Sequence, residues 1–148
     1  SNFNYAAMVA KAEHGADSAE YKAVTTNPDG FDPELHPVGI SQCETGQPVV
    51  NNIDWEVVFT SPMQRAMITT VHMFKNHPNK ANIRFIVLPI VRECLACTND
   101  IAMDCDELMV KFGEGAPATA GLNFDFSRLF LYGIPQLWQV FTMANVQK

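Results

Sequence analysis

Residues 55–88 constrain the fold more than any other stretch, because they read as strand, helix and strand in succession. Trp55-Glu56-Val57-Val58-Phe59 is rich in aromatic and β-branched residues and predicts a strand. Thr60-Ser61-Pro62 follows, and a serine cap with proline at the first helical position is a sound helix opening. Residues 63–75 then place Met63, Met67, Val71 and Phe74 on one face, the spacing of a helix buried along one side. Pro78 ends that helix, and residues 83–88 (IRFIVL) carry the strongest strand pattern in the chain. Alternation of this kind argues for an α/β protein with a mainly parallel sheet.

The flanking segments extend the pattern. Residues 5–12 suit a short buried strand, stopped at His14-Gly15, where glycine permits a turn. Residues 17–22 open a helical turn, and residues 25–37, with Pro28, Gly30, Pro33 and Pro37, read as a surface loop. Residues 38–46 predict a short helix stopped by Gly46 and Pro48. Residues 104–112 look helical, residues 113–121 form a loop, and residues 124–146 are apolar and aromatic, interrupted by Pro135. At 148 residues and 47% hydrophobic content, one domain spanning residues 1–148 can build a real core.

Charge and cysteine content narrow the function classes. Sixteen acids against ten bases give a net charge of -6, the wrong sign for a protein that works on a phosphate backbone, so no nucleic-acid partner is expected. Four cysteines do not make a disulfide scaffold. No apolar run approaches the roughly 20 residues needed to span a bilayer, so a membrane-spanning chain is not expected. Cys94-x-x-Cys97 with Cys105 lacks a second such pair and a nearby histidine, so idle or buried thiols are expected and no metal. His72 and His77 lie too far apart for one helical face and are expected to be exposed. With no signal-peptide pattern, an intracellular site is expected, in the cytoplasm or an organelle.

In parallel α/β sheets ligands sit beyond the carboxyl ends of the strands. That singles out Glu13-His14-Gly15, Thr60-Ser61-Pro62 with Arg65, and Arg92-Glu93. Taken in order, these segments resemble the histidine phosphatase superfamily, in its phosphoglycerate-mutase-like branch. AEHGADSAEY resembles the first-strand motif that reads Arg-His-Gly. DPELHPVGISQ, Asp32 to Gln42, is similar to Asp-Pro-x-Leu-Thr-x-x-Gly-x-x-Gln, with His36 in place of threonine. FTSPMQRAMITT, Phe59 to Thr70, resembles Ser-Ser-Pro-x-x-Arg-Ala-x-x-Thr, and VLPIVRE, ending at Glu93, looks like Leu-Arg-Glu. NDIAMDCDELMVKFGE, NFDFSRL and PQLW resemble an insertion found in some members.

The resemblance implies a three-layer αβα sandwich with a mainly parallel sheet and covalent chemistry without metal or organic cofactor. His14 would take the phosphoryl group on an unprotonated ring nitrogen, Arg65 would fork onto two phosphate oxygens, and Glu93 would protonate the leaving oxygen. Three departures weigh against that chemistry. Glu13 stands where the motif has arginine, and two like charges about 4 Å apart repel by roughly 4 kcal/mol at an effective dielectric near 20. Glu20 replaces an asparagine that contacts phosphate in the family. No histidine follows Glu93, since His36, His72 and His77 all precede it, so the family's C-terminal elements are missing or lie beyond Lys148.

Two readings follow. The first is a catalytically impaired family member acting as a structural or interaction subunit, with protein partners reached through the aromatic tail that holds Phe124, Phe126, Phe130, Tyr132, Trp138 and Phe141 where that tail is not core. The alternative is an active phosphomonoesterase working through phospho-His14 on a phosphorylated small molecule.

Overall fold

The computed structural model describes residues 2–92 and 97–131. Its centre is the unit read from residues 55–88. Strand β1 (Val57–Thr60) leads into helix α4 (Gln64–Phe74), which returns to strand β2 (Arg84–Val87). The strands pair in parallel from Val57↔Arg84 to Thr60↔Val87. A short strand β3 (Phe124–Asp125) joins the far edge of β2, also in parallel, giving an open sheet of order β1-β2-β3. The protein is thus mixed α/β with a small parallel sheet.

Helix α4 buries Met67, Val71 and Phe74, as its spacing predicts. Phe74 meets Trp55 and Phe85 edge-on, at centroid distances of 5.6 and 5.3 Å, the geometry favoured by the ring quadrupoles. A second cluster joins Met67 and Val87 to Leu108, Phe112 and Leu129. Leu108 and Phe112 come from helix α5 (Cys105–Phe112), whose first turn is capped by Asp104 accepting the Asp106 N–H at 3.2 Å. Helix α6 (Ser127–Leu131) follows β3 and supplies Leu129.

The serine cap and first-position proline expected at Ser61-Pro62 do not open α4, which starts at Gln64 behind Met63 with no side-chain cap bond. Two whole elements also differ from the sequence reading. The strand expected over residues 5–12 is part of helix α1 (Asn2–His14). Ala6, Ala7, Ala10 and Ala12 have the highest helix propensity of any residue, and no glycine or proline interrupts them. Gly15 then closes the helix at φ +89°, its N–H donating to Lys11 O at 3.0 Å in a left-handed cap. Ser18 starts helix α2 (Ala19–Thr25) by accepting the Tyr21 N–H at 3.1 Å. The second difference is helix α3 (Pro37–Val50), which runs through Gly46 and Pro48 instead of stopping there. Gly46 lets α3 approach α4, since a Cβ there would lie 3.2 Å from Met73 Cε. Gln47 Nε2 donates to His72 O at 2.6 Å across the same contact, so tertiary packing outweighs the local breakers.

No described helix is long and apolar enough to cross a membrane.

Candidate functional site

The carboxyl end of β1 delivers Thr60, Ser61 and Pro62 to the first turn of α4, and Arg65 sits in that turn. What fixes this turn is Asp32, which is only 2% exposed. Its two carboxylate oxygens each accept a backbone N–H at 2.9 Å, one from Gln64 and one from Met103. Its own N–H donates to Ile101 O at 3.1 Å, and its carbonyl accepts from the Gln64 side-chain amide. Asp32 therefore ties three segments together while holding a left-handed φ of +33°, a conformation that needs such over-determination. Burial pushes its carboxyl above the ordinary value, opposed by the two N–H donors and by the charges of Arg65 and Lys111. Lys111 Nζ extends the network by donating to Gln64 Oε1 and pairing with Glu34 at 2.5 Å.

Arg65 is held as firmly. Nη1 donates to Asn99 O at 2.5 Å, and Nη2 pairs with Asp100 Oδ1 at 3.3 Å. The other Asp100 oxygen accepts the Cys97 N–H at 3.2 Å. Burial lowers the Arg92 guanidinium from its usual value, and the nearby Asp100 charge raises it again. Burial, then the hydrogen bond and charge of Asp100, push the Cys97 thiol up to about 11, so it stays protonated and unreactive at neutral pH.

Arg65 borders a cleft of about 430 Å³ shared with Glu34, Leu35, His36, Gly39 and Gln42. A second hollow of about 270 Å³ meets it at Glu34 and Leu35 and reaches Lys111, Ile68 and Phe112. His36 caps α3 through Nδ1, which accepts the Val38 N–H at 3.2 Å. A ring nitrogen thereby performs the capping task that suits a threonine hydroxyl.

The structure brings Arg65 to this cleft, but not His14, Glu13 or Glu20. His14 ends α1 and is 47% exposed on its side chain, with Glu13 at 3.7 Å and 65% exposed. Asn4, near the start of the same helix, accepts the Asn99 Nδ2–H at 2.5 Å. Hence α1 touches the 98–100 turn through Asn4, and His14 lies roughly 15 Å from Asn4 along the helix axis at 1.5 Å rise per residue. Glu20 is exposed in the first turn of α2. Glu93 and Cys94 lie outside the described residues, as does the aromatic tail from residue 132. His77, expected at the surface, is buried, because Nε2 faces Ile53 O at 3.2 Å and Nδ1 accepts the Asn79 N–H at 3.1 Å. Among the described residues no three His, Cys, Asp or Glu side chains converge as metal ligands.

Sequence reasoning missed the roles of Asp32, Gln64, Asp100 and Lys111. Asp32 lay inside a quoted motif, yet nothing local in it signals a partner more than thirty residues away. No family model, no curated protein and no solved structure matches the chain.

Proposed function

We propose that this chain is a catalytically impaired phosphoglycerate-mutase-like domain, a three-layer αβα sandwich, that serves as a structural or interaction subunit. One observation carries the reading: the histidine of the phosphoryl-acceptor motif ends helix α1, exposed beside Glu13, and does not line the cleft that Arg65 borders. Phosphoryl transfer requires the nucleophile within about 3–3.5 Å of phosphorus while the arginine grips the same group. His14 is not among the described residues that line the cleft beside Arg65. Glu13 adds a negative charge at the place where a phosphate dianion would have to dock. The parallel β1–α4–β2 unit, with Arg65 beyond the end of β1, supports the family resemblance independently of His14.

Hydrolysis of a generic aryl phosphate tests the proposal. The wild type and His14→Ala should show the same background rate. A wild-type rate well above background that His14→Ala removes would instead establish the phosphohistidine enzyme. The interaction role is tested by removing residues 132–148 and measuring mass by light scattering. Loss of an assembly formed by the full chain is the expected result.

A further inference from the structure

The guanidinium of Arg65 borders the 430 Å³ cleft and keeps 20% of its side chain exposed, yet both terminal nitrogens already hold oxygens of the chain itself. Nη1 takes the Asn99 carbonyl and Nη2 takes the Asp100 carboxylate. Those two oxygens sit on one short helical turn, Thr98–Asp100, and present to the arginine fork what two oxygens of a tetrahedral oxyanion would present. The turn is fastened at its back. The Cys97 N–H holds the second Asp100 oxygen at 3.2 Å, and Asn99 Nδ2 donates to Asn4 Oδ1 at 2.5 Å. Asp100 is 5% exposed, so its charge is balanced by the Arg65 guanidinium and the nearby Arg92 more than by solvent.

We infer that the 98–100 turn is an intramolecular plug: the Asp100 carboxylate and the Asn99 carbonyl occupy the oxyanion subsite of Arg65, and the cleft accepts inorganic phosphate only when that carboxylate is displaced or neutralised. The inference rests on reading Arg65 as the phosphate-gripping group of the proposed fold, and adds why that group is silent in this chain. Phosphate must compete with an anion that is already bound within the same molecule at high effective concentration. Replacing Asp100 with a neutral residue removes the competitor and leaves the pocket one unit more positive.

Titration with inorganic phosphate, followed by calorimetry and by ³¹P line broadening, tests this on the whole chain. Asp100→Asn should bind phosphate at least about tenfold more tightly than the wild type, and adding Arg65→Gln should abolish the gain. Asp100→Ser serves if the asparagine variant does not fold, as judged by a cooperative thermal transition. The wild type is itself a test, because millimolar or tighter phosphate binding that Arg65→Gln removes would overturn the plug while leaving Arg65 as an oxyanion group. If a folded Asp100 variant gains no affinity, or its gain survives Arg65→Gln, the assignment of Arg65 fails and the plug fails with it.

Discussion

The two ends of the molecule that carry charged motif residues are built in opposite ways. At the first turn of α4, Asp32, Gln64, Arg65, Asp100 and Lys111 form a buried network in which backbone and side-chain donors meet acceptors from three separate segments. At the last turn of α1, His14 and Glu13 face solvent and each other, and Gly15 closes the helix where an added Cβ would meet no described atom within 4 Å. A side chain that must act on a substrate needs its rotamer fixed by neighbours. Among the described residues the Arg65 end has that fixation and the His14 end lacks it.

The contrast predicts a steep gradient of mutational effects. Asp32→Ala should be the most damaging, since it removes the acceptor of the buried Gln64 N–H and of the partly buried Met103 N–H and unties both segments. A loss of about 3 kcal/mol is expected in urea unfolding, at 1–3 kcal/mol for each unsatisfied group. A loss below about 1 kcal/mol would break the claim that this end is over-determined. The same residue gives a pH signature. Its folded-state carboxyl titrates above the ordinary value of 3.8, chiefly through burial, so the folded chain binds that proton more tightly than the unfolded chain. The associated stabilisation is complete below the ordinary value and is lost as pH rises through the raised one. The stability of the wild type relative to Asp32→Asn should therefore fall as pH climbs through this acidic window, and the opposite trend would contradict the burial argument.

Arg65→Gln comes next. It removes a charged partner from buried Asp100 and a donor from the Asn99 carbonyl, and because Arg65 is partly exposed the expected loss is about 2 kcal/mol. Equal stability of this variant and the wild type would mean that Asp100 is satisfied without Arg65.

The same division explains what the sequence revealed. The β1–α4–β2 unit was legible because its information is local: β-branched residues in Val57–Thr60 and Arg84–Val87, and a buried stripe through Met67, Val71 and Phe74. Helix α5, read over residues 104–112, was equally local. The clasp around Arg65 was not, because Asp32 finds Gln64 and Arg65 finds Asp100 across intervals of 32 and 35 residues that no periodicity records. Helix α3 was cut short for a related reason, since the contact of Gly46 with Met73 overrides a glycine and a proline that read as stops. Residues 5–12 misled differently. A short apolar run stopped by glycine suits a buried strand as well as a helix, and the helix propensity of its alanines decides for the helix.

The smallest effects belong to the α1 end. Gly15→Ala should cost about 1 kcal/mol, entirely from placing a side chain at φ +89°, because a Cβ there meets no atom within 4 Å. Gly15→Asn should cost less, as asparagine tolerates the left-handed region, and the order of the two variants separates backbone strain from packing. His14→Ala should fall within about 0.5 kcal/mol of the wild type in urea unfolding, because its one ion-pair partner is exposed and such pairs contribute little. The informative result is the pair of readouts on this variant. Unchanged stability with unchanged aryl-phosphate background leaves His14 as a surface residue at the end of a helix. Unchanged stability with a lost activity would show that α1 reaches the cleft in a conformation where His14 does chemistry, and the contrast between the two ends would have to be abandoned.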